Sequence, residues 1–283
     1  MKIAQFSNLK KLSTKQQGFS LVELMVATAI SIIVLLAASS TFLTTYKLKE
    51  EVKTRISYEQ DVRNAANVIR SDMRQLGDFS CMNPPTTNQL NSIFVGAFTA
   101  SNNKQYLSTD LNYNTGVTPV TGSKPLVLTY INDKKANNVL SAQCKTNIQK
   151  IDENVSGSVY IVGRTSFDSN PGFYRINYNN KVWSAPQLVV SNVTGVKYDF
   201  FYDAHDAKNC PSNQNSATNS TTLDPKISSK TDLDFNFDQP PVLIRTTLTI
   251  KPNGANNNSS STTLNYEINA FVQHGEVCVS REV

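Results

Sequence analysis

The sequence predicts an α+β protein, a very long N-terminal helix followed by an antiparallel sheet. Two observations carry this. No glycine or proline interrupts the chain between Phe19 and Leu76, and apolar residues there recur at helical spacing. Beyond Cys81 that period disappears, and short runs rich in Val, Ile, Tyr, Phe and Thr replace it.

The helix divides into two halves. From Phe19 to Leu43 the only charged side chain is Glu23, and the 25 residues are long enough to span a bilayer. From 44 to 77 the composition turns polar, while Leu48, Val52, Ile56, Val62, Ala66, Ile69, Met73 and Leu76 form an amphipathic stripe. One helix of about 58 residues, roughly 85 Å long, is the expectation. Gly77 is the predicted C-cap, and Pro84-Pro85 forbids resumption.

Charge orients the apolar half. Lys2, Lys10, Lys11 and Lys15 all precede Gly18, where there are no acids, and the flank from Lys47 to Arg55 carries both signs. The positive-inside rule places residues 1–18 in the cytoplasm and the rest of the chain, from 44 on, outside. Of the 27 basic residues, 23 remain beyond Gly18 against 22 acids, so the formal +5 belongs mostly to the leader. It gives no support to nucleic-acid binding.

Glu23 is an anomaly in such a helix. A lone carboxylate in hydrocarbon costs roughly 2.5 kcal/mol or more, so it is read as functional. A secretory signal peptide does not fit well. The apolar run is too long, and Ala37-Ala38-Ser39-Ser40 is a weak cleavage stretch.

The run Gly18-Phe19-Ser20-Leu21-Val22-Glu23, behind a basic leader, resembles the class III signal of type IV prepilins. The resemblance implies that a membrane-embedded prepilin peptidase cuts after Gly18 and that the new terminus, Phe19, is N-methylated. It also implies an assembly role for Glu23, whose carboxylate meets the amino terminus of a neighbouring subunit. Pairing two buried charges rewards only the register that joins them. The segment from Arg63 to Gly77, ending Asp72-Met73-Arg74-Gln75-Leu76-Gly77 before Cys81, resembles PilW-type minor pilins. The stretch Val139–Ile151 around Cys144 is similar to that family's second cysteine segment. GspJ-type minor pseudopilins of type II secretion share a related helix end.

What the resemblance implies is the type IV pilin fold, with a 1–18 leader, a 19–43 transmembrane half, a 44–77 amphipathic half and a 78–283 periplasmic domain. It implies a single-pass inner-membrane protein that passes into a pilus. Its partners would be other minor pilins, the major pilin, the inner-membrane assembly platform and a large tip adhesin. The function implied is priming of filament growth, with support of twitching motility, adhesion or DNA uptake. A pseudopilin, or a membrane-anchored periplasmic domain that never polymerises, are the alternatives.

Four cysteines, Cys81, Cys144, Cys210 and Cys278, lie far apart with no C-x-x-C pair. Behind a membrane-targeting segment they read as two disulfides of an oxidising compartment, with three connectivities open. Cys81 with Cys144 and Cys210 with Cys278 is the favoured pairing.

The expected strands are Leu126–Ile131, Ser158–Gly163, Phe173–Tyr178, Leu188–Ser191, Val196–Tyr202, Val242–Ile250 and Leu264–Val272. The last two flank Lys251–Ser261, which reads as a hairpin tip. Asn83–Lys124 and Ser212–Lys230, dominated by Asn, Ser and Thr, read as loops.

No cofactor, metal or catalytic set is expected. Asp232-Leu-Asp-Phe-Asn-Phe-Asp238 spaces its acids like a calcium loop, but Phe237 and Leu243 stand where an EF-hand wants Gly and Glu. Its apolar and polar residues alternate as in a half-buried strand. Asp199, Asp203, His205 and Asp206 mix acids with a histidine and read as a turn after a strand. No G-x-S-x-G, phosphate loop or H-E-x-x-H occurs, so the chain reads as a structural and interaction protein rather than an enzyme.

Overall fold

Helix α1 (Leu21–Arg74) opens the fold and runs without a break for 54 residues. The computed structural model describes residues 18–99, 105–131, 145–203, 227–235, 239–252 and 263–273. It divides into two units, Met1–Thr54 and Arg55–Val283. In the first unit every residue from Leu21 to Lys53 is exposed. In the second, Tyr58, Val62, Ala65, Ala66, Ile69 and Met73 are buried, so Leu48, Val52 and Ile56 of the predicted stripe are not part of the core.

The end of α1 follows from Gly77. The last turn tightens through Gln75 N–H to Asp72 O and Leu76 N–H to Met73 O. Gly77 then takes φ +71°, and a Cβ there would stand 3.2 Å from the Tyr106 ring. Its N–H leaves the helix for the carbonyl of Thr129 at 3.0 Å.

Two antiparallel sheets follow, where the sequence suggests one. The first is ordered β1 (Leu107–Ser108), β3 (Leu126–Ile131), β4 (Val155–Arg164), β5 (Gly172–Asn179), β6 (Val182–Trp183). In it β2 (Thr118–Pro119) also pairs β4, and β7 (Gln187–Ser191) pairs β5. The second is ordered β11 (Leu264–Phe271), β10 (Leu243–Ile250), β8 (Val193–Asp203), β9 (Ile227–Lys230). All seven predicted strands lie in these sheets. The hairpin of β10 and β11 is in register from Leu243↔Phe271 to Ile250↔Leu264.

The first sheet is apolar on both faces. On one, Leu126, Leu128, Tyr160, Val162 and Phe173 pack with the buried stripe of α1 and with Tyr198, Phe200, Ile244, Leu248 and Ile268 of the second sheet. On the other, Val127, Val159, Ile161, Tyr174 and Ile176 pack under Phe79, Leu90, Ile93, Phe94 and Phe98. β3 and most of β4 are therefore buried at every position, as period-2 side chains between two layers must be.

The second layer corrects the loop reading of Asn83–Lys124. It contains helix α2 (Thr87–Ile93), started by a complete capping box between Thr86 and Gln89. The same segment also contributes β1 and β2, with Leu90, Phe94 and Phe98 buried in this layer and Leu107 in the first core. Phe94 is the hub, edge-on to Phe98, Tyr178 and Trp183. Of Ser212–Lys230 only Ile227–Lys230 is described, and it is strand β9 rather than loop.

The strand expected at Asp232–Asp238 is not formed over its described part, Asp232–Phe235. There Asp234 donates its N–H to Tyr202 Oη, and its carbonyl accepts from Gln105 Nε2. Leu233 still packs on the first core. Residues 236–238 lie outside the described residues.

Candidate functional site

The N-terminal motif enters the structure at Gly18. Gly18, Phe19 and Ser20 precede α1, and Phe19 is 87% exposed. Glu23 lies in the first helical turn and accepts the backbone N–H of Ser20 on Oε2 at 3.0 Å. The Ser20 carbonyl accepts the first bond of the ladder, from Leu24 N–H. This is the glutamate half of a capping box, Ser-x-x-Glu, at the positive end of the helix dipole.

That contact supplies a local role for Glu23 that sequence reasoning missed, although the Ser20-to-Glu23 spacing is a known helix-start signal. The anion is not bare in the free chain. It satisfies one of the four N–H groups that a helix start leaves without a partner.

The apolar half is suited to hydrocarbon in a second way. Thr28, Ser31, Ser40 and Thr41 each donate a hydroxyl to a carbonyl three or four residues back, and Thr44 and Thr45, just beyond this half, do the same. A polar group inside a bilayer needs such an internal partner. The helix is long and apolar enough to cross a membrane.

The other end of α1 meets the first sheet. Asp72 is buried and takes two hydrogen bonds from Arg175 of β5, Nε to Oδ2 at 2.7 Å and Nη2 to Oδ1 at 2.8 Å. Tyr160 of β4 adds its hydroxyl to Oδ2 at 2.6 Å. Arg175 also reaches Ser158 Oγ, which shares a hydrogen bond with Tyr130. Burial, then the charge of Asp72 and the hydrogen bond to it, hold the Tyr160 phenol well above its ordinary range. Burial pulls the Arg175 guanidinium down, but the hydrogen bonds and charge of Asp72 outweigh this and raise it. Asp72 belongs to the helix-end pattern noted in the sequence, and here it ties that helix end to β4 and β5.

Cys81 is disulfide-bonded, and Cys144, Cys210 and Cys278 lie outside the described residues. Its surroundings are described. Lys145 N–H donates to Cys81 O at 2.9 Å, Asn83 N–H to Thr146 O at 2.9 Å, and Asn83 pairs with Asn147 in a parallel bridge.

The remaining sequence candidates are scattered. Asp199 pairs with Lys197 at 3.0 Å on β8, and Asp203 ends that strand. Both are thus strand residues rather than turn residues, while His205 and Asp206 lie outside the described residues. Asp232 pairs with Lys124 at 2.9 Å and Asp234 with Lys230 at 3.5 Å. Among the described residues no group of three or more His, Cys, Asp or Glu could hold a metal ion.

Residues 13–39 match the prokaryotic N-terminal methylation motif, a span that contains Gly18, Phe19 and Glu23. Neither a curated protein nor a solved structure matches the chain. The motif, the long apolar helix and the antiparallel sheets together make a type IV pilin-like architecture.

Proposed function

We propose that this type IV pilin-like chain is a minor pilin, of the PilW type, that joins other minor pilins to prime a filament and supports twitching motility, adhesion or DNA uptake. The observation that carries the reading is a methylation motif set at the start of a 54-residue helix whose first half is exposed and apolar and whose end is locked into a folded body. Such a helix serves first as a membrane anchor and then as packing material for neighbouring helices. A periplasmic location of the body, single-pass anchoring in the inner membrane, cleavage after Gly18 by the prepilin peptidase and methylation of Phe19 belong to the same proposal. So does a structural rather than enzymatic role, with the major pilin, the assembly platform and a tip adhesin as further partners.

Glu23 would act at docking. Entry of a neighbour's ammonium asks the carboxylate to accept a new partner beside, or in place of, the Ser20 N–H. The full charge is the stronger attraction in a low-dielectric surround.

The experiment is processing and assembly in the native host. Gly18→Ala should accumulate at leader-bearing mass and abolish piliation, and normal piliation by the uncleaved chain would refute the proposal. Glu23→Ala should insert normally yet enter filaments poorly. The helix-end pattern Asp72–Gly77 keeps a minor pseudopilin as the second reading. Deletion would then spare surface filaments and block protein export.

A further inference from the structure

On the outer side of the second core, α2, Tyr113, the short helix α3 (Ile151–Asn154) and the β5–β6 turn enclose an open groove of about 610 Å³. That volume is typical of ligand sites. We propose that this groove binds a neutral saccharide chain.

Its apolar wall is an aromatic plate. Tyr113 stacks on Trp183 with centroids 4.4 Å apart and planes 16° from parallel. Trp183 is in turn held edge-on by Phe94 at 5.5 Å and tilted against Tyr178 at 5.1 Å. The inner ring is thus fixed from several sides, while Tyr113 remains 37% exposed. A rigid aromatic face of this kind matches the C–H face of a sugar ring and loses little entropy on contact.

Its polar wall offers donors and acceptors without net charge. Lys181 Nζ sits 3.0 Å from Asp152 Oδ2 and 3.1 Å from Glu153 Oε1, and Lys150 also pairs with Glu153. The lining carries one cation, Lys181, and one carboxylate, Asp152, and beside them Glu153 pairs with Lys150, so the described residues leave the groove without net charge. Sugar hydroxyls, each both donor and acceptor, suit a fixed ammonium beside a fixed carboxylate.

The arrangement is built before any ligand arrives. Asn180 and Lys181 both take positive φ, 52° and 66°, giving the tight turn that suits a two-residue hairpin. The Asp152 carbonyl is held by Tyr178 Oη at 2.8 Å and Lys181 N–H at 3.1 Å. Gln89 is anchored through Oε1 by Thr86, which leaves its Nε2 as a donor at the rim. A proline-rich peptide fits less well. It needs aromatic ridges standing side by side, and here the two rings are stacked into one plate.

The chain contains one tryptophan, so its emission reports this groove alone. The full chain, in a sugar-free zwitterionic detergent, is screened on an array of hexose and N-acetylhexosamine oligomers, sialylated and sulfated glycans, and proline-rich peptides. At least one neutral oligomer should be retained and should change Trp183 emission saturably. Tyr113→Ala should weaken that binding about ten-fold or more, with an unchanged melting temperature. Retention of charged glycans or peptides only, or of nothing, overturns the proposal. Asp152→Asn keeps the backbone contacts and covers the case in which Tyr113→Ala does not fold. It should weaken binding several-fold, and unchanged binding by it also overturns the proposal.

Discussion

Arg175 and Asp72, 103 residues apart in sequence, meet in a two-pronged ion pair between β5 and α1, with both hydrogen bonds under 3 Å. Their side chains are only 19% and 7% exposed. Removing one partner leaves the other as an uncompensated charge in the core. Arg175→Met and Asp72→Leu should each cost about 3–5 kcal/mol in urea unfolding, and the double variant should recover much of that loss. Losses that simply add would mean the pair is not coupled.

Two buried tyrosines should respond in opposite ways to loss of their hydroxyl. Tyr160 gives its hydrogen to Asp72, so Tyr160→Phe should destabilise by about 1.5–3 kcal/mol, as for hydrogen bonds to charged groups. The hydroxyl of Tyr198 is buried with no partner among the described residues, and burial pushes its phenol far above the ordinary range. Tyr198→Phe should leave thermal stability unchanged or raise it.

Gly157 in β4 lies under the aromatic hub. A Cβ there would come within 2.5 Å of Phe94 Cζ and 2.8 Å of the Leu128 carbonyl. Gly157→Ala should cost about 1–3 kcal/mol or more by overpacking. It should also shift the near-ultraviolet signal of Trp183, which touches the same Phe94 ring.

The Lys181 cluster gives a signed pH dependence. The Lys181 hydrogen bond lowers both Asp152 and Glu153, and hydrogen bonds to the two acids raise Lys181. The carboxylates stabilise above their unfolded range and lose that contribution as pH falls through the lowered values. The ammonium's share is lost only as pH rises through its raised value. The melting-temperature difference between Lys181→Met and the parent should therefore be small and flat across neutral pH, and shrink as the pH falls below the ordinary carboxylate range. A difference growing steadily across neutral pH would contradict this.

Peptide mapping without reduction should recover Cys81 joined to Cys144, because Cys81 is disulfide-bonded and its carbonyl accepts the N–H of Lys145, the residue that follows Cys144 in sequence. Cys210 should then be found with Cys278. A Cys81–Cys278 peptide would rule out this pairing.

Legibility in the sequence tracked how local each cause is. α1 could be read because nothing breaks its period over 54 residues. β10 alternates between partly buried and buried side chains, and β3 is an apolar run interrupted only by Thr129. The layer around Phe94 was hidden because its anchors are few among many Asn and Thr. Yet Thr86-x-x-Gln89 after two prolines marked the start of α2. Asp232–Phe235 alternates like a strand, but Tyr202 and Gln105 take its backbone groups instead. The Asp72–Arg175 pair leaves no trace at short range. Ser20-x-x-Glu23 was visible as a cap and was masked by its second reading as a processing motif.

In the docking proposed for Glu23, the Ser20 to Glu23 contact means that the neighbour would meet a carboxylate already holding one donor of its own chain. A neighbour that bound Glu23 would share or displace a donor three residues away, and on its departure that donor would still be at hand. A subunit can then change surroundings in either direction without passing through a state with an unattended anion. On that proposal the glutamate would ease exchange as well as choose the register.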